Sequence, residues 1–375
     1  MKYEAMPRPK AKAKEPSLDT SCDVHRLQRV DATYAELIDQ PKALVRTLQA
    51  TAPKLKDIAK ALEKRTLDTV ILLGCGDSWF VGNSIIYAIE ALTGFRCLSV
   101  EAYEFERYYH QGIDEKTLVI GQSASGTTET VLRSLSYAQE HKAVCIGMGN
   151  TEHSTILSAY DFGIHVPVTR KGWPTQASTS AMGALIVLFC HLSLAKGLQP
   201  ALAQQLLDEL ELIPRQMEEA IAFNEEPVKK FCESRVHQTY FQATGAGPAF
   251  AVAQIAAAKI KELCPAHASA YPLEEFHHYR SLKSDDTLLL IAPQGRSKAR
   301  ELDTALVGAY DEGVIVTIAN IVSDQLKAVT DLFCFVPHVS EYLAPLVYCI
   351  PVHLFAYYIA IAKKERCVGY PTAKG

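Results

Sequence analysis

Short hydroxyl side chains crowd one turn of this chain, within residues 121–130, which read GQSASGTTET. The apolar run Thr117–Ile120 precedes the turn, and a helix-like stretch begins after it at Val131. Backbone N–H groups between a strand and a helix lie at the positive end of the helix dipole, where phosphate or sulfonate is readily held. We therefore predict a small-anion site; the alternative is a helix N-cap with spare polar residues. The hydroxyls belong to Ser123, Ser125, Thr127 and Thr128.

Charged side chains suited to proton transfer occur later in the chain. Lys259 and Glu262 are three positions apart and therefore share one face of a predicted helix. A second group, Glu274–His278, follows and contains two adjacent histidines. Composition alone favours an exposed ion pair and surface histidines, so these residues do not by themselves predict catalysis.

The elements that position these residues occur twice. Three segments recur with a shift of 170 or 171 positions: Gly74–Gly76 as Gly245–Gly247, Thr117–Ile120 as Thr287–Leu290, and Ala143–Asn150 as Val314–Asn320. Each copy alternates short apolar runs with helix-length amphipathic segments, as in a parallel sheet covered by helices on both faces. The pattern predicts an α/β protein of two doubly wound domains related by internal duplication.

The predicted organisation has three parts. Residues 1–35 form an N-terminal extension, which we expect to be disordered in part because residues 1–20 are rich in Lys, Pro, Ala and Glu. The first domain spans residues 36–200 and carries the anion site, and the second spans residues 201–375. The second copy of the hydroxyl turn reads Ala292–Arg296 and lacks the hydroxyl cluster, so we expect one anion site per chain.

The net charge and the cysteine content restrict the possible binding partners and the expected cellular compartment. A net charge of −4 leaves no basic surplus for nucleic acid or an anionic membrane. The ten cysteines are scattered without a C-x-x-C pair, which is typical of reduced thiols in the cytoplasm. The stretch from Tyr342 to Ala362 is long and apolar enough to resemble a membrane span, but it contains Pro345, Pro351 and His353. We expect no other stretch of this kind in the chain. We interpret this one as a buried helix that closes the second domain.

A series of motifs occurs in order along the chain, roughly over residues 38–365. It comprises ELIDQPKAL at 36–44, GCGDS at 74–78, SASGTT at 123–128, AST at 177–179, GAGP at 245–248, AKIKE at 258–262 and PLVY at 345–348. With these motifs the chain resembles the sugar isomerase (SIS) domain proteins, most closely the isomerase half of glucosamine-6-phosphate synthase and the stand-alone phosphosugar deaminases and deglycases. Glu262 and His278 keep the sixteen-residue spacing of the family's catalytic glutamate and ring-opening histidine.

The resemblance implies a role for each matching residue. Phosphate would be held by the hydroxyl turn and the first glycine turn, and the sugar by neighbouring residues. Glu262 would move a proton between C1 and C2. His278, often supplied by the partner of a homodimer, would open the sugar ring. Lys259 would stabilise an enediol oxygen or hold a carboxylate. The implied phosphate residues are Ser78, Ser123, Ser125, Gly126 and Thr128, and the implied sugar residues are Gly76, Gln176, Ser178 and Lys374.

Two departures from the family pattern concern the sugar side of the pocket. Tyr279–Ser281 stands where the family has Gly-Pro after the histidine, and the loop at Gln176–Ser180 differs from the family's Val-Ala-Ser-Thr-Lys. We therefore expect phosphate recognition to be kept and the sugar to differ. Arg280 and Lys283 are candidates for contacting a second anionic group on the substrate, and a solvated loop explains them equally well. A sulfonate at C6 would also satisfy the hydroxyl turn.

The implied function is C1–C2 proton transfer on a ketohexose or aminohexose 6-phosphate. We favour amine release, as in a deglycase or deaminase. The first alternative is simple aldose–ketose isomerisation of a hexose 6-phosphate or 6-sulfo hexose. The second alternative is a protein without catalytic activity, a sugar-phosphate sensor. The chain has no domain-sized extension with a cysteine near residue 1, so we expect no glutaminase activity. No metal and no cofactor are expected, because the predicted acid and base are protein groups.

Overall fold

The computed structural model describes residues 24–109 and 112–369, with side chains from residue 28 onward. Two helices, α1 (Val24–Ile38) and α2 (Gln40–Glu63), come before the first strand. Helix α1 continues across position 36, so the expected start of the first domain falls inside a helix. The prediction for residues 1–20 and the site prediction at Lys374 lie outside the described residues.

The first unit is a five-stranded parallel sheet in the order β2-β1-β3-β4-β5. Its connections are helices, as parallel pairing requires. The strands are β1 (Thr69–Gly74), β2 (Arg96–Glu101), β3 (Thr117–Gln122), β4 (Val144–Gly149) and β5 (Phe162–His165). The helices between and after them are α3 (Asp77–Thr93), α4 (Ala102–Tyr108), α5 (Glu129–Glu140), α6 (Thr155–Ser158) and α7 (Gln176–Lys196).

The second unit repeats this topology after the long helix α8 (Pro200–Ser234). Its parallel order is β10-β9-β8-β6-β7. The strands are β6 (Tyr240–Gly245), β7 (His267–Pro272), β8 (Thr287–Ala292), β9 (Val314–Ala319) and β10 (Leu332–Phe335). The helices are α9 (Pro248–Leu263), α10 (Leu273–Tyr279), α11 (Lys298–Tyr310), α12 (Asp324–Ala328) and α13 (Ala344–Glu365).

Some individual residues of the two units are also equivalent. Gly76 and Gly247 begin α3 and α9 with nearly the same backbone, φ 55° and 54°. These positive φ values favour glycine, because side chains of L-residues crowd the backbone there. Between α3 and α9, Asn83 Nδ2 donates to Gln254 Oε1 at 2.9 Å, and these two residues are themselves 171 positions apart. The predicted fold class, two doubly wound domains, is confirmed.

One hydrophobic core runs between the two sheets. In β1, Val70 and Leu72 face this shared core while Ile71 and Leu73 face a separate cluster on the outer side, as the two-residue period of a strand requires. In β8 the same alternation divides Leu289 from Leu290. Because both faces of each sheet are covered, the central strands are apolar throughout, which is the pattern that the sequence showed.

Two helices of the described chain are long and apolar enough to cross a membrane, by length and composition only. One is α13, at the apolar stretch singled out from the sequence, and the other is α7. The expectation of a single such stretch was therefore wrong. In each helix 89% of the most apolar window is buried inside the protein. Both are interior helices: α7 packs on α2 and α3, and α13 packs on α8 and α9.

Candidate active site

A polar cavity of about 210 Å³ lies at the carboxyl edge of the first sheet. The turns after β1, β3 and β4 contribute to its wall, and the loop before α7 contributes a further side. Glu262, from α9 of the second unit, also lines this cavity. The carboxyl edge of a doubly wound sheet is the usual ligand position, so the duplication places a second-unit carboxylate at a first-unit site.

The hydroxyl turn is held in place by its own hydrogen bonds. Ser123 is 2% exposed, and its Oγ lies 2.8 Å from Thr128 Oγ1 and 3.3 Å from Ser125 Oγ. The same Oγ accepts from the N–H groups of Gly126 and Thr128 at 3.1 and 3.3 Å. Ser125 and Thr128 line the cavity together with Ser123 and Ser78. The turn thus presents several preorganised donors to one volume.

Two features of this turn bear on the choice between an anion site and an ordinary helix cap. Thr128 is the N-cap residue of α5, yet its side chain makes no capping hydrogen bond. Gly126 has φ 72°, and a Cβ there would lie 2.1 Å from Ser154 Oγ. The helix therefore does not use the Thr128 hydroxyl, and the backbone of the turn needs glycine where it bends. Both features favour the anion interpretation.

An ionic cluster contributes two carboxylates to the cavity wall. Lys259 Nζ lies 2.5 Å from Asp77 Oδ2 and also contacts Glu262 Oε2. The Lys259 side chain is only 1% exposed, so the sequence-based alternative of a solvated ion pair does not describe it. Lys259 lies behind the cavity wall, whereas Asp77 and Glu262 line the cavity.

The pKa values in this cluster follow from burial and from the sharing of one ammonium. Burial raises the pKa of Glu262, the charge of Lys259 opposes this rise, and the charge of Asp77 adds to it. The net result is a pKa of Glu262 above its usual range. Burial works to lower the pKa of Lys259, but both carboxylates oppose this and the pKa ends above its ordinary value. Lys259 therefore stays an ammonium, and Glu262 binds a proton more readily than an exposed glutamate does.

The remaining predicted residues lie at different distances from the cavity. Gly76 and Ser178 line it, and Ser178 Oγ donates to Asp77 Oδ2 at 3.4 Å. Gln176 is buried beside it, where its Nε2 donates to Thr169 O at 3.0 Å. His278 is on α10, with 66% of its side chain exposed, and does not line this cavity within one chain. Arg280, suggested for a second anionic group, is paired with Asp311.

Sequence reasoning missed four polar residues that line the cavity: Asp77, Gln122, Asn150 and Arg170. Burial, and then the nearby charge of Arg29, lowers the pKa of Arg170. Asp77 stands inside a quoted motif, between Gly76 and Ser78, and that adjacency was a usable signal. Arg170 comes from an irregular loop, where no periodic pattern marks it. Within the described residues no three His, Cys, Asp or Glu side chains are placed to hold a metal ion.

The equivalent turn of the second unit meets a different neighbour. A Cβ on Gly295 would lie 2.7 Å from Glu341 Oε1, and Arg296 Nε is 3.5 Å from Glu341 Oε2. By the shift of 170 to 171 positions, Glu341 corresponds to the Arg170–Lys171 region of the first unit. An acidic side chain of the chain itself thus lies where the first unit presents a cation. This turn is consequently a poor place for a second anion.

Comparison with known proteins adds to the geometry. The SIS domain model matches residues 65–194. The resemblance drawn from the motifs is confirmed, and the residues matched by the SIS domain model include the whole hydroxyl turn.

The chain is 28% identical over 347 residues to a glutamine–fructose-6-phosphate aminotransferase (isomerizing) of Pseudomonas syringae pv. tomato, covering 88% of this chain and 55% of the relative. It therefore spans about half the length of the curated relatives it matches. A solved C-terminal domain of glucosamine-fructose-6-phosphate aminotransferase from Francisella tularensis has a TM-score of 0.76 at 20% identity, covering 91% of this chain and 96% of that one.

A third similar structure is a glucosamine-6-phosphate deaminase from Thermotoga maritima. Its TM-score is 0.68 at 18% identity, with 88% of this chain and 94% of the other covered. At such identities these structures show the shared fold: two parallel five-stranded sheets flanked by helices. The chemistry of the present chain has to be argued from its own pocket.

Proposed function

We propose that this protein is an enzyme that moves a proton between C1 and C2 of a hexose 6-phosphate or a close analogue. The observation that carries the proposal is the position of Glu262, a carboxylate with a raised pKa, in the same cavity as the hydroxyl turn. An anion held by the turn would anchor one end of the sugar. The other end would then lie near a base that binds a proton more readily than an exposed glutamate does.

The proposed step conserves every atom. In an open-chain ketose, Glu262 removes the C1 proton, the C1–C2 bond gains double-bond character, and the protonated carboxyl returns the proton to C2. The C2 oxygen gains a proton, and the C1 oxygen loses one. With an amine in place of one oxygen, the same transfer gives an imine, and addition of one water releases the amine. Isomerisation and amine release therefore share the Glu262 step.

Amine release is the favoured outcome because of the charge of the ionic cluster. This cluster holds two carboxylates, Asp77 and Glu262, against one ammonium, so this wall is negative and suits a substrate that carries an amine at C1 or C2. Simple isomerisation of a hexose 6-phosphate or 6-sulfo hexose uses the same groups and remains the alternative.

The ring-opening step is assigned to His278 of a partner subunit in a homodimer. His278 is exposed on α10 and absent from the cavity of its own chain. An exposed histidine at this point is suited to entering a neighbouring subunit's site. Gln176, Ser178 and Lys374 are proposed to contact the sugar, and Ser78, Ser123, Ser125, Gly126 and Thr128 to hold its phosphate or sulfonate.

Proton NMR in deuterated water tests the proposal. Fructose 6-phosphate, glucosamine 6-phosphate, a fructosyl-amino-acid 6-phosphate and a 6-sulfo hexose are offered separately to the purified protein. We expect loss of the C1 or C2 proton signal with one of them, accompanied by a free amine if the enzyme is a deaminase or deglycase. Exchange without amine release would indicate an aldose–ketose isomerase. Binding by thermal shift with no exchange would refute the enzyme and leave a sugar-phosphate sensor.

A further inference from the structure

One buried ammonium is shared between carboxylates from the two units. Asp77, at the start of α3, and Glu262, near the end of α9, both contact Lys259 Nζ. The exposed fractions of the side chains are 1% for Lys259, 13% for Asp77 and 31% for Glu262. Glu262 is therefore the member of the cluster most open to the cavity, and Lys259 is the most enclosed.

The two oxygens of Asp77 have different surroundings. Oδ2 accepts from Lys259, and from Ser178 Oγ at 3.4 Å. Oδ1 is buried and has no hydrogen-bond partner among the described residues. A buried carboxylate that is only half satisfied retains a strong demand for a cation. Asp77 thus competes with Glu262 for Lys259, and the three groups together carry one net negative charge.

We propose that Asp77 is a positioning residue that holds Lys259 between two carboxylates and so leaves Glu262 able to accept a proton. The role rests on the proposed function only in assuming that Glu262 is the base. Asp77 acts through Lys259, since its Oδ1 is buried and its Oδ2 accepts from Lys259 and Ser178. A Lys259–Glu262 pair alone would be neutral, and the full charge of Lys259 would then oppose protonation of Glu262.

The other charged and titratable groups around Glu262 support this assignment. Arg29, on α1, lowers the pKa of Glu262 and works against Asp77. Arg170 adds a cation on the loop side of the cavity. On α13, burial, and then the charge of Lys259, lowers the pKa of His353 to about 3, so this histidine is neutral. Burial likewise raises the pKa of the Cys349 thiol, which stays protonated. Asp77 is thus the carboxylate that offsets these cations.

The expected effect of Asp77→Asn follows from the sign of its charge. Removing a nearby negative charge makes the protonated form of Glu262 less favourable, so the pKa of Glu262 falls. The acid limb of the pH profile for C1 or C2 exchange should move to lower pH by about one unit. The plateau rate should also fall, because a weaker base removes the carbon-bound proton more slowly.

The test compares pH profiles of exchange for the wild type, Asp77→Asn and Asp57→Asn, with folding checked by thermal melting. Asp57 is an exposed acid on α2, and its variant should keep the wild-type limb. A limb that moves down only in Asp77→Asn supports the proposal. A folded Asp77→Asn variant whose limb stays at the wild-type pH would overturn it, since a purely structural role predicts a lower rate without a shifted midpoint.

A second measurement needs neither turnover nor a folded Asp77 variant. Carbon-13 NMR titration of the wild-type carboxyls, with Glu262→Gln used to assign the Glu262 signal, gives the midpoint directly. We expect it above the usual glutamate range. A Glu262 midpoint in the ordinary range of about 4.3 would overturn the proposal. If no sugar undergoes exchange, the proposed function fails, while an ordinary Glu262 midpoint would still refute the role of Asp77.

Discussion

At the scale of single residues, the pocket combines uncharged hydroxyl donors with a cluster of charged groups. The hydroxyl turn offers Ser123, Ser125 and Thr128 without a charge of its own, and Arg170 lies on the same cavity. The charged cluster consists of Glu262 and Asp77 around Lys259. A ligand with an anion at one end and an acidic C–H or an amine at the other matches this combination.

Ser123 and Ser125 should respond differently to removal of their hydroxyls. Ser125 lines the cavity, so Ser125→Ala should weaken binding of a sugar 6-phosphate about tenfold and leave stability nearly unchanged. Ser123 is the buried acceptor for two backbone N–H groups, so Ser123→Ala should also lower the free energy of unfolding, by about 1 kcal/mol.

Calorimetric titration of the two variants and urea unfolding measure these effects. The Ser125→Ala variant serves as the control for Ser123→Ala, because both remove one hydroxyl from the same turn. Wild-type affinity in Ser125→Ala would contradict the assignment of this turn to the phosphate.

At the scale of elements, the duplication was readable because buried parallel strands are continuous apolar runs bounded by glycine turns. The strand at Thr117–Gln122 and its repeat at Thr287–Ala292 lie where the sequence indicated. The hydroxyl turn followed, since a turn's position is fixed by the strand before it and the helix after it. The start of the first domain was harder to predict from the sequence, because α1 continues across position 36 as an amphipathic helix.

Contacts between elements that are far apart in sequence could not be predicted in the same way. No local pattern indicates that Lys259 reaches Asp77, 182 positions earlier, because this contact depends on how α3 and α9 pack. The sequence indicated that Lys259 belongs to an exposed ion pair, and its burial became evident only from the packing of the helices. Arg170 was missed for a related reason, since it enters the cavity from an irregular loop. The second apolar helix, α7, was missed although its composition is as apolar as that of α13.

At the scale of the whole molecule, the candidate site depends on both units. The first supplies the turn for the anion, and the second supplies Glu262 from α9. The shared core between the sheets and the Asn83–Gln254 hydrogen bond hold α3 against α9. A change that loosens this contact should therefore affect the base, although it lies far from the hydroxyl turn.

The assignment of His278 to a partner subunit leads to a complementation experiment. Glu262→Gln and His278→Asn should each be inactive alone. In a mixed dimer one site contains both substitutions and the other contains neither. Random mixing of equal amounts should therefore restore about a quarter of the wild-type activity, because half of the dimers then hold one intact site of two.

The readout is the exchange rate after the two variants are dissociated and reassociated together. Each variant taken through the same treatment alone is the control. If the mixture stays as inactive as the separate variants while dimers form, then Glu262 and His278 do not act across subunits.

The central claim, that Glu262 is the base of a sugar-phosphate site, is tested most directly by comparing binding and exchange in Glu262→Gln. Glutamine keeps the size of the side chain and its hydrogen-bonding reach but cannot accept the carbon-bound proton. With the substrate found by NMR, we predict exchange at C1 or C2 reduced by at least about a hundredfold and an affinity for the sugar phosphate within about threefold of the wild type. Exchange at the wild-type rate in a folded Glu262→Gln variant would contradict the claim. Loss of binding together with exchange would also contradict it and would make Glu262 a structural residue.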